Sequence, residues 1–354
     1  LLPSPPLPPR QPSGISFELV SGIEAAHIRK GTDMATPHTA RPAAITATGL
    51  RKSFGEKTVL DGIDLHIPEG TIFSLLGPNG AGKTTAVQIL STLVPADAGE
   101  VRIAGHDLRR EPGKVRAAIG VTGQFSAVDN LMTGEENLLL MADLYGFGRR
   151  QARQIAADLL DRFDLVEAAR KPAATYSGGM RRRLDIAMTL VGSPRIIFLD
   201  EPTTGLDPRS RHGMWEIVRD LVSDGVTVLL TTQYLEEADQ LADRIAVLSG
   251  GKLVAEGTPD ELKRLVPGGH VVLRFADLAG LERAARTLGI GTRDDDALSL
   301  QIPSDGSVTS VKSLLDWVEA TGTEVEGLAL DTPDLDDVFF TVTGRTDDQK
   351  ATIR

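Results

Sequence analysis

The feature that most constrains this chain is a continuous apolar segment, residues 71–76 (TIFSLL), that runs directly into a glycine-rich loop and a helix-forming segment. An unbroken apolar run is typical of a central strand of a parallel sheet, which is buried on both faces. The loop, GPNGAGKT, matches the pattern G-x-x-x-x-G-K-[ST], and strand–loop–helix is the context that this pattern requires. The sequence therefore predicts an α/β fold whose loop binds phosphate groups.

The chemistry of this loop, residues 77–84, follows from its residue types. Glycines allow backbone N–H groups to face an anion, and the positive end of the following helix adds to the attraction. We expect Lys83 to reach the β- and γ-phosphates of a nucleotide and the Thr84 hydroxyl to bind Mg²⁺. The predicted nucleotide-binding residues here are Gly77, Pro78, Asn79, Gly80, Ala81, Gly82, Lys83, Thr84 and Thr85.

Further strand-like segments alternate with helix-like ones between residues 43 and 260. This alternation favours a mostly parallel α/β sheet. Besides 71–76, the predicted strands cover 59–67, 101–104, 119–122, 196–199, 226–231 and 244–248, and the predicted helices cover 83–93, 135–146, 150–163, 178–191, 209–223 and 235–241.

The apolar strand at 196–199 delivers two acidic residues, Asp200 and Glu201, at its end. Ligands of open α/β sheets bind at the carboxyl ends of the strands. We expect Asp200 to hold Mg²⁺ and Glu201 to activate the attacking water as a general base. A strand that ends in two acids is also a common solvated turn, and the phosphate-binding loop is what favours the catalytic interpretation.

A Ser-Gly-Gly segment, Ser177 to Gly179, opens the predicted helix 178–191. A hydroxyl and unhindered amides at the positive end of a helix make a second anion-binding device. Taken alone, the segment is equally typical of an ordinary helix cap. With the loop at 77–84, one chain carries two phosphate-binding devices about 95 residues apart in sequence.

The three motifs occur in the order and spacing typical of ABC transporter ATP-binding subunits, and residues 45–260 resemble that family. The resemblance implies a P-loop NTPase core of RecA-like type with a helical subdomain at 125–175. It implies that ATP and Mg²⁺ are bound and that ATP is hydrolysed. It also implies a head-to-tail dimer of two copies, in which the P-loop of one and the Ser-Gly-Gly signature of the other enclose each ATP. A separate membrane permease would dock on residues 124–137.

The resemblance also assigns roles to single residues. Gln124 corresponds to the glutamine that contacts Mg²⁺ and water, and residues 205–207 correspond to the D-loop at the dimer interface. Phe54 occupies the place of the aromatic residue that stacks on adenine, although a plain core aromatic is the alternative. The expected catalytic residues are Lys83, Glu201 and Gln233; the nucleotide contacts beyond the loop are Phe54, Gln124, Ser177, Gly178 and Gly179; the metal ligands are Thr84, Gln124 and Asp200.

The chain departs from the family pattern at three positions. Tyr176 and Met180 flank the Ser-Gly-Gly signature where Leu and Gln are most common. Gln233 follows the predicted strand 226–231 where the family usually has His. A Gln amide offers both donors and an acceptor, so we expect Gln233 to position the attacking water and ATP hydrolysis to be retained.

Composition limits what the rest of the chain can do. Cysteine is absent from the 354 residues, which excludes disulfides and thiolate zinc sites. The net charge of −11 is opposite to the basic surface of nucleic-acid binders. No apolar run approaches the ~20 residues of a transmembrane helix, so another subunit must span the membrane if this chain works on one. The family resemblance implies a peripheral location on the cytoplasmic face of the cell membrane. Proline-rich residues 1–42 are predicted to be disordered.

Residues 261–344 are predicted to form a small accessory α/β domain of three strands and three helices, followed by a tail at 345–354. From residue 261 onwards the chain has 17 acidic and 10 basic residues, which indicates either a solvated acidic face or a module for dimerisation or docking. Segments 231–239 and 332–344 resemble the daunorubicin-resistance branch, which implies export of a hydrophobic drug or antibiotic. The alternatives are a soluble ABC-type ATPase and a nucleotide-dependent regulator that is not coupled to transport.

Overall fold

The computed structural model describes residues 41–124, 126–266, 269–304, 307–321, 324–331 and 333–343. The predictions for residues 1–40 and for the tail at 345–354 lie outside the described residues. The strands are β1 (Ala43–Phe54), β2 (Lys57–Pro68), β3 (Ile72–Leu76), β4 (Ala98–Ile103), β5 (His106–Asp107), β6 (Ile119–Thr122), β7 (Ile196–Asp200), β8 (Thr227–Thr232), β9 (Arg244–Ser249), β10 (Lys252–Gly257), β11 (His270–Arg274), β12 (Thr292–Asp294), β13 (Ser299–Pro303) and β14 (Gly327–Asp331). The helices are α1 (Lys83–Leu90), α2 (Pro112–Ala118), α3 (Gly134–Leu144), α4 (Arg149–Arg162), α5 (Gly178–Leu190), α6 (Pro208–Ser223), α7 (Leu235–Leu241), α8 (Pro259–Lys263), α9 (Leu278–Leu288), α10 (Val308–Thr321) and α11 (Leu335–Thr343), with 3₁₀ turns at Val166–Ala168 and Ala173–Thr175.

The central sheet has the strand order β10-β9-β3-β8-β7-β6. Neighbouring strands from β9 to β6 are parallel, and β10 adds an antiparallel edge. Every residue of β3, β7 and β8 is buried, because helices cover both faces of the sheet. The carboxyl ends of these strands therefore meet at one edge, where the phosphate-binding loop and the acidic pair begin. The predicted α/β class is confirmed.

A second sheet, β2-β1-β4-β5, is antiparallel throughout. Its inner face packs on α1 and on the central sheet through one apolar cluster that includes Ile45, Leu60, Phe73, Leu90 and Phe198. The phosphate-binding loop thus lies between two sheets whose shared core fixes the start of α1.

Helices α3, α4 and α5 pack together through Leu138, Leu160 and Leu184 in the helical region. Tyr176, which directly precedes the N-cap of α5, is buried. Its hydroxyl donates a hydrogen bond to the Ala168 carbonyl, 2.8 Å away. A Cβ atom on Gly134 would lie 2.2 Å from that hydroxyl, so only glycine fits there. Tyr176 therefore anchors the signature segment to the helical region.

The third sheet, β12-β13-β11-β14, is also antiparallel. Helices α9 and α10 pack on it through a separate apolar cluster that includes Val271, Leu273, Leu281 and Leu314. The predicted element order is present, with one additional strand, β12. Its three residues are all exposed and polar, so no hydrophobic pattern marks it in the sequence.

Helix α11 does not join α9 and α10 as the expected third helix of the accessory domain. Its buried residues Leu335, Val338 and Phe339 instead pack with Leu235 and Leu262, on α7 and α8. The apolar spacing of α11 predicts a buried face, but it cannot show which partner the face covers. The last described helix therefore belongs to the core of the nucleotide-binding part.

Candidate active site

The phosphate-binding loop depends on glycine at two positions. A Cβ atom on Gly77 would lie 2.3 Å from the Leu248 carbonyl oxygen. Gly82 has φ +112°, and a Cβ there would lie 2.7 Å from the Leu60 side chain. Any side chain at either position would push the loop away from the two sheets. The loop conformation is thus set by backbone packing, with Gly82 placing Lys83 at the start of α1.

Lys83 lies at the centre of the site and is 4% exposed. Its Nζ donates to the Gly77 carbonyl at 2.8 Å and forms an ion pair with Glu201 Oε1 at 3.2 Å. These partners satisfy a buried ammonium group that would otherwise be costly. Phosphate oxygens are stronger acceptors than a neutral carbonyl, so the Lys83 ammonium can exchange its bond to the Gly77 carbonyl for bonds to a nucleotide's phosphates.

Asp200 and Thr84 meet beside the lysine. The Thr84 hydroxyl donates to Asp200 Oδ1 at 3.3 Å, and the Thr231 hydroxyl donates to the same oxygen at 2.5 Å. Asp200 is buried at the end of β7, opposite Thr231 in the register of β7 and β8. Hydroxyl and carboxylate oxygens are the donors that Mg²⁺ prefers, so this pair fits a magnesium ion.

Glu201 has a left-handed backbone conformation, with φ 48°. Its amide donates to the Thr231 carbonyl at 3.1 Å, and the Thr204 hydroxyl donates to Glu201 Oε2 at 3.2 Å. With Lys83 on the other carboxylate oxygen, the side chain is held at the mouth of the phosphate-binding loop.

The remaining predicted contacts are placed by strand order. Gln124 is exposed just after β6, whose Thr122 pairs with Leu199 of β7, so it shares an edge of the sheet with Asp200. Gln233 is half-buried directly after β8, the next strand on the other side. Phe54 lies on the antiparallel sheet and is 51% exposed. This exposure favours a role in stacking on a ligand rather than the alternative of a core aromatic.

The signature segment has different surroundings. Ser177 caps α5 by accepting a hydrogen bond from the Met180 amide at 3.2 Å. The nearest neighbour of a Cβ on Gly178 would be Leu206, at 3.7 Å, and one on Gly179 would lie 2.7 Å from the Ser210 hydroxyl. The signature therefore packs against the D-loop and α6, whereas Lys83 contacts Glu201 and Thr84 contacts Asp200.

Sequence reasoning missed two residues that shape the site. Thr231 holds both the carboxylate of Asp200 and the amide of Glu201. Arg182 donates to the Asp200 carbonyl at 3.1 Å from within α5. The position of Thr231 at the end of a buried strand beside β7 was a usable signal, but nothing in the run of three arginines after the signature distinguishes Arg182.

Comparison with known proteins places this geometry in a family. The family described as ABC transporter matches residues 60–204. A daunorubicin resistance ATP-binding protein of Streptomyces coeruleorubidus is 48% identical over 314 residues, which make up 87% of this chain and 98% of that protein. This chain belongs to the ATP-binding subunits of ABC transporters. A daunorubicin/doxorubicin resistance ATP-binding protein of Streptomyces peucetius is 46% identical and is covered to 95% of its length.

A solved structure supports the same assignment. An ATP-binding cassette, described as a dimeric post-hydrolysis state bound to ADP and Pi, has a TM-score of 0.56 and 28% identity. The match covers 60% of this chain and 98% of that one. As an ABC ATP-binding subunit, this chain binds and hydrolyses ATP, and proteins of its family work as dimers with membrane permeases. Within the described part of the chain, no helix has both the length and the apolarity needed to span a bilayer.

Proposed function

We propose that two copies of this chain form a head-to-tail dimer that hydrolyses ATP with Mg²⁺ and thereby energises export of a hydrophobic drug or antibiotic. The dimer works at the cytoplasmic face of the cell membrane, on a separate permease. The observation that carries the proposal is the contact of Lys83 with Glu201 beside the Thr84–Asp200 pair, in a chain whose relatives bear drug-resistance names.

In this proposal each residue of the cluster has one task. Lys83 and the loop amides bind the β- and γ-phosphates, and Phe54 stacks on adenine. Glu201 accepts a proton from the attacking water, which Gln233 orients against the γ-phosphate. Thr84, Asp200 and Gln124 would hold Mg²⁺, which neutralises phosphate charge when bound.

The head-to-tail arrangement is supported by the separation of the two phosphate-binding devices within one chain. Gly178 and Gly179 are packed against Leu206 and Ser210, while the P-loop packs on Leu248 and Leu60. If Ser177 and the two glycines bind phosphate, the P-loop of a second copy is the natural source of that nucleotide. ATP then holds the two copies together, and hydrolysis releases them.

The division of the chain is part of the proposal. Residues 43–260 supply the ATP-binding domain, and 261–344 supply an accessory domain, except that α11 reinforces the ATP-binding domain. The permease would dock near the segment after β6, where Leu131 is 91% exposed, and on α3, where Leu144 is 73% exposed. Exposed leucines of this kind are typical of protein–protein contact surfaces.

The decisive experiment measures ATPase activity, nucleotide binding and oligomeric state for the full chain and its Glu201→Gln variant. The variant should bind ATP with wild-type affinity, hydrolyse it about 10²–10⁴-fold more slowly, and accumulate as an ATP-bound dimer. Glu216→Gln makes the same chemical change at an exposed position of α6 and should behave as wild type. Rapid hydrolysis by a monomeric Glu201→Gln chain would contradict the proposal.

The transport claim needs a separate test in cells. Co-expression with the permease should lower the intracellular accumulation of a fluorescent anthracycline, and Lys83→Ala should abolish the effect because ATP is no longer bound. Equal accumulation with wild type and Lys83→Ala would argue against drug export while leaving the ATPase assignment intact.

A further inference from the structure

A buried ion pair lies inside α5, just beyond the signature segment. Arg182 and Asp185 are one turn apart, their side chains are 10% and 4% exposed, and Arg182 Nη1 lies 3.3 Å from Asp185 Oδ2. Burial lowers the pKa of Arg182 and raises that of Asp185. Charges are placed in such surroundings only where hydrogen bonds compensate for the lost hydration.

Besides its bond to Asp185, Arg182 makes three hydrogen bonds to backbone at or beside predicted site residues. Its Nη1 donates to the Gly123 carbonyl at 2.9 Å, and its Nη2 donates to the Asp200 carbonyl at 3.1 Å. Its Nε donates to the Pro202 carbonyl at 3.0 Å. These carbonyls flank the glutamine at 124 and the general base at 201, so one guanidinium fixes two strand ends.

Asp185 completes the connection from the other side. Its Oδ1 accepts a hydrogen bond from the Ala127 amide at 3.0 Å, further along the segment that follows β6. Its Oδ2 faces Arg182. The planar, five-donor guanidinium can serve these separate acceptors at once, whereas the ammonium of a lysine is a single point of charge.

The same helix begins at Ser177, whose hydroxyl caps it. Behind the signature, Leu184, Ile186 and Ala187 of the same helix are buried in the apolar core. The first turns of one helix therefore join Ser177 to Arg182, and Arg182 contacts the backbone beside Gln124 and Glu201.

We propose that Arg182, held by Asp185, is the positioning residue through which the signature helix of each copy sets the catalytic backbone of its own site. The inference rests on the head-to-tail dimer, in which Ser177 contacts the ATP bound by the partner. Occupancy of one ATP site then adjusts Gln124 and Glu201 in the other, through the bonds of Arg182 to the Gly123, Asp200 and Pro202 carbonyls. The two sites are thereby coupled.

The test compares the wild-type chain with a double variant that carries both Arg182→Gln and Asp185→Asn. The pair of substitutions removes both charges together, so neither is left buried and uncompensated. Arg183→Gln is the matched control, because Arg183 lies on the same helix and its ion pair with the exposed Asp164 is 3.4 Å long. Arg182→Lys keeps the charge but serves fewer carbonyls.

Wild type and Arg183→Gln should hydrolyse ATP with a Hill coefficient above 1. The double variant should bind a non-hydrolysable ATP analogue with affinity within about twofold of wild type, yet lose about tenfold or more in kcat. Its Hill coefficient should fall to 1, and Arg182→Lys should recover part of kcat. The double variant combined with Glu201→Gln should still dimerise with ATP.

Three results would overturn the inference. A double variant with wild-type kcat and Hill coefficient would show that the pair is a bystander. Loss of analogue binding in proportion to the lost activity would show that it merely stabilises the fold. If Glu201→Gln alone stays monomeric with ATP, the head-to-tail dimer fails, and the inference fails with it for a distinguishable reason.

Discussion

Glu201 stands in a backbone conformation that residues with a Cβ rarely adopt, with φ 48°. Such a conformation costs about 1–2 kcal/mol and is tolerated where surrounding contacts enforce it. Here the Thr231 and Lys83 contacts do so. The strain thus coincides with the residue that is proposed to take the proton.

We predict that Glu201→Gly is more stable than Glu201→Ala, by about 1 kcal/mol in the free energy of unfolding. Both variants lose the same carboxylate contacts, but only glycine relieves the left-handed strain. This reverses the usual order, in which glycine is the less stable substitution. Urea unfolding of the two variants measures the difference, and a more stable alanine variant would show that the strain is absent.

Gln233 is the residue whose chemistry differs most from the family pattern. It follows the buried strand β8 at the edge shared with Asp200, and a Gln side chain can donate to a phosphate and accept from a water together. We predict that Gln233→Ala cuts kcat about tenfold or more with little change in ATP affinity, as expected of a contact made mainly in the transition state. Steady-state ATPase with the permease present measures this.

The titration of position 233 gives an independent check. Glutamine does not titrate, so the wild-type rate should show no step near pH 6.5 that depends on this residue, whereas Gln233→His should acquire one. Equal turnover in wild type and Gln233→Ala would show that Gln233 is a bystander.

At the scale of elements, the sequence predicts strands with an apolar run better than short polar strands. β3, β7 and β8 each have an apolar run, are buried throughout and are predicted nearly residue for residue. β12 is an edge strand of three exposed polar residues, and it carries no hydrophobic run that separates it from a loop. The motifs on the buried strand ends are therefore predictable, whereas a short polar strand is not.

The residues of the candidate site can likewise be predicted from the sequence only in part. Lys83, Thr84, Asp200 and Glu201 are found in contact because each is fixed by a motif at a strand end. Arg182 contributes through side-chain bonds to carbonyls that are distant in sequence. Such bonds depend on tertiary packing and leave no local pattern.

Helix α7 follows Gln233 directly and contains a fully buried carboxyl group. Burial raises the pKa of Glu237, and Trp215 Nε1 donates to its Oε1 at 3.3 Å. A raised folded-state pKa means that the neutral acid favours folding at low pH. That contribution is lost as the pH rises through the raised value, because the charged form is poorly accommodated.

We predict that Glu237→Gln, which keeps the shape without the charge, raises Tm by roughly 2–4 °C at pH 8. The difference from wild type should shrink as the pH falls toward 4.5, the ordinary value for this side chain. Thermal unfolding as a function of pH measures it, with the exposed Glu216→Gln as a control whose difference stays small throughout. A difference that grows on acidification would have the opposite sign to the one that burial requires.

At the scale of the whole molecule, the chain folds back on itself. After leaving β10 and building the third sheet, it returns as α11 to α7 and α8. The nucleotide-binding part is thus completed by residues that follow the accessory sheet, and the chain connects the two parts twice, before β11 and after β14.

This packing predicts a difference between two buried phenylalanines. Phe339 on α11 is 4% exposed in the cluster that contains Leu76, the residue before the phosphate-binding loop, and Phe275 is 2% exposed in the separate cluster of the third sheet. Removing either ring leaves a cavity that costs about 3–5 kcal/mol. Only Phe339→Ala should destabilise the part of the chain that ATP protects.

Thermal unfolding with and without ATP separates the two effects, since a ligand raises the Tm only of the unit that binds it. Phe339→Ala should lower the ATP-dependent transition, and Phe275→Ala should leave that transition near its wild-type temperature while loosening the third sheet. An ATP-dependent transition that is unchanged in Phe339→Ala and lowered in Phe275→Ala would mean that α11 belongs with the accessory sheet after all. The expected difference between the two variants follows from where each ring is buried. Phe339 lies in the cluster that packs α11 against α7, the helix that follows Gln233.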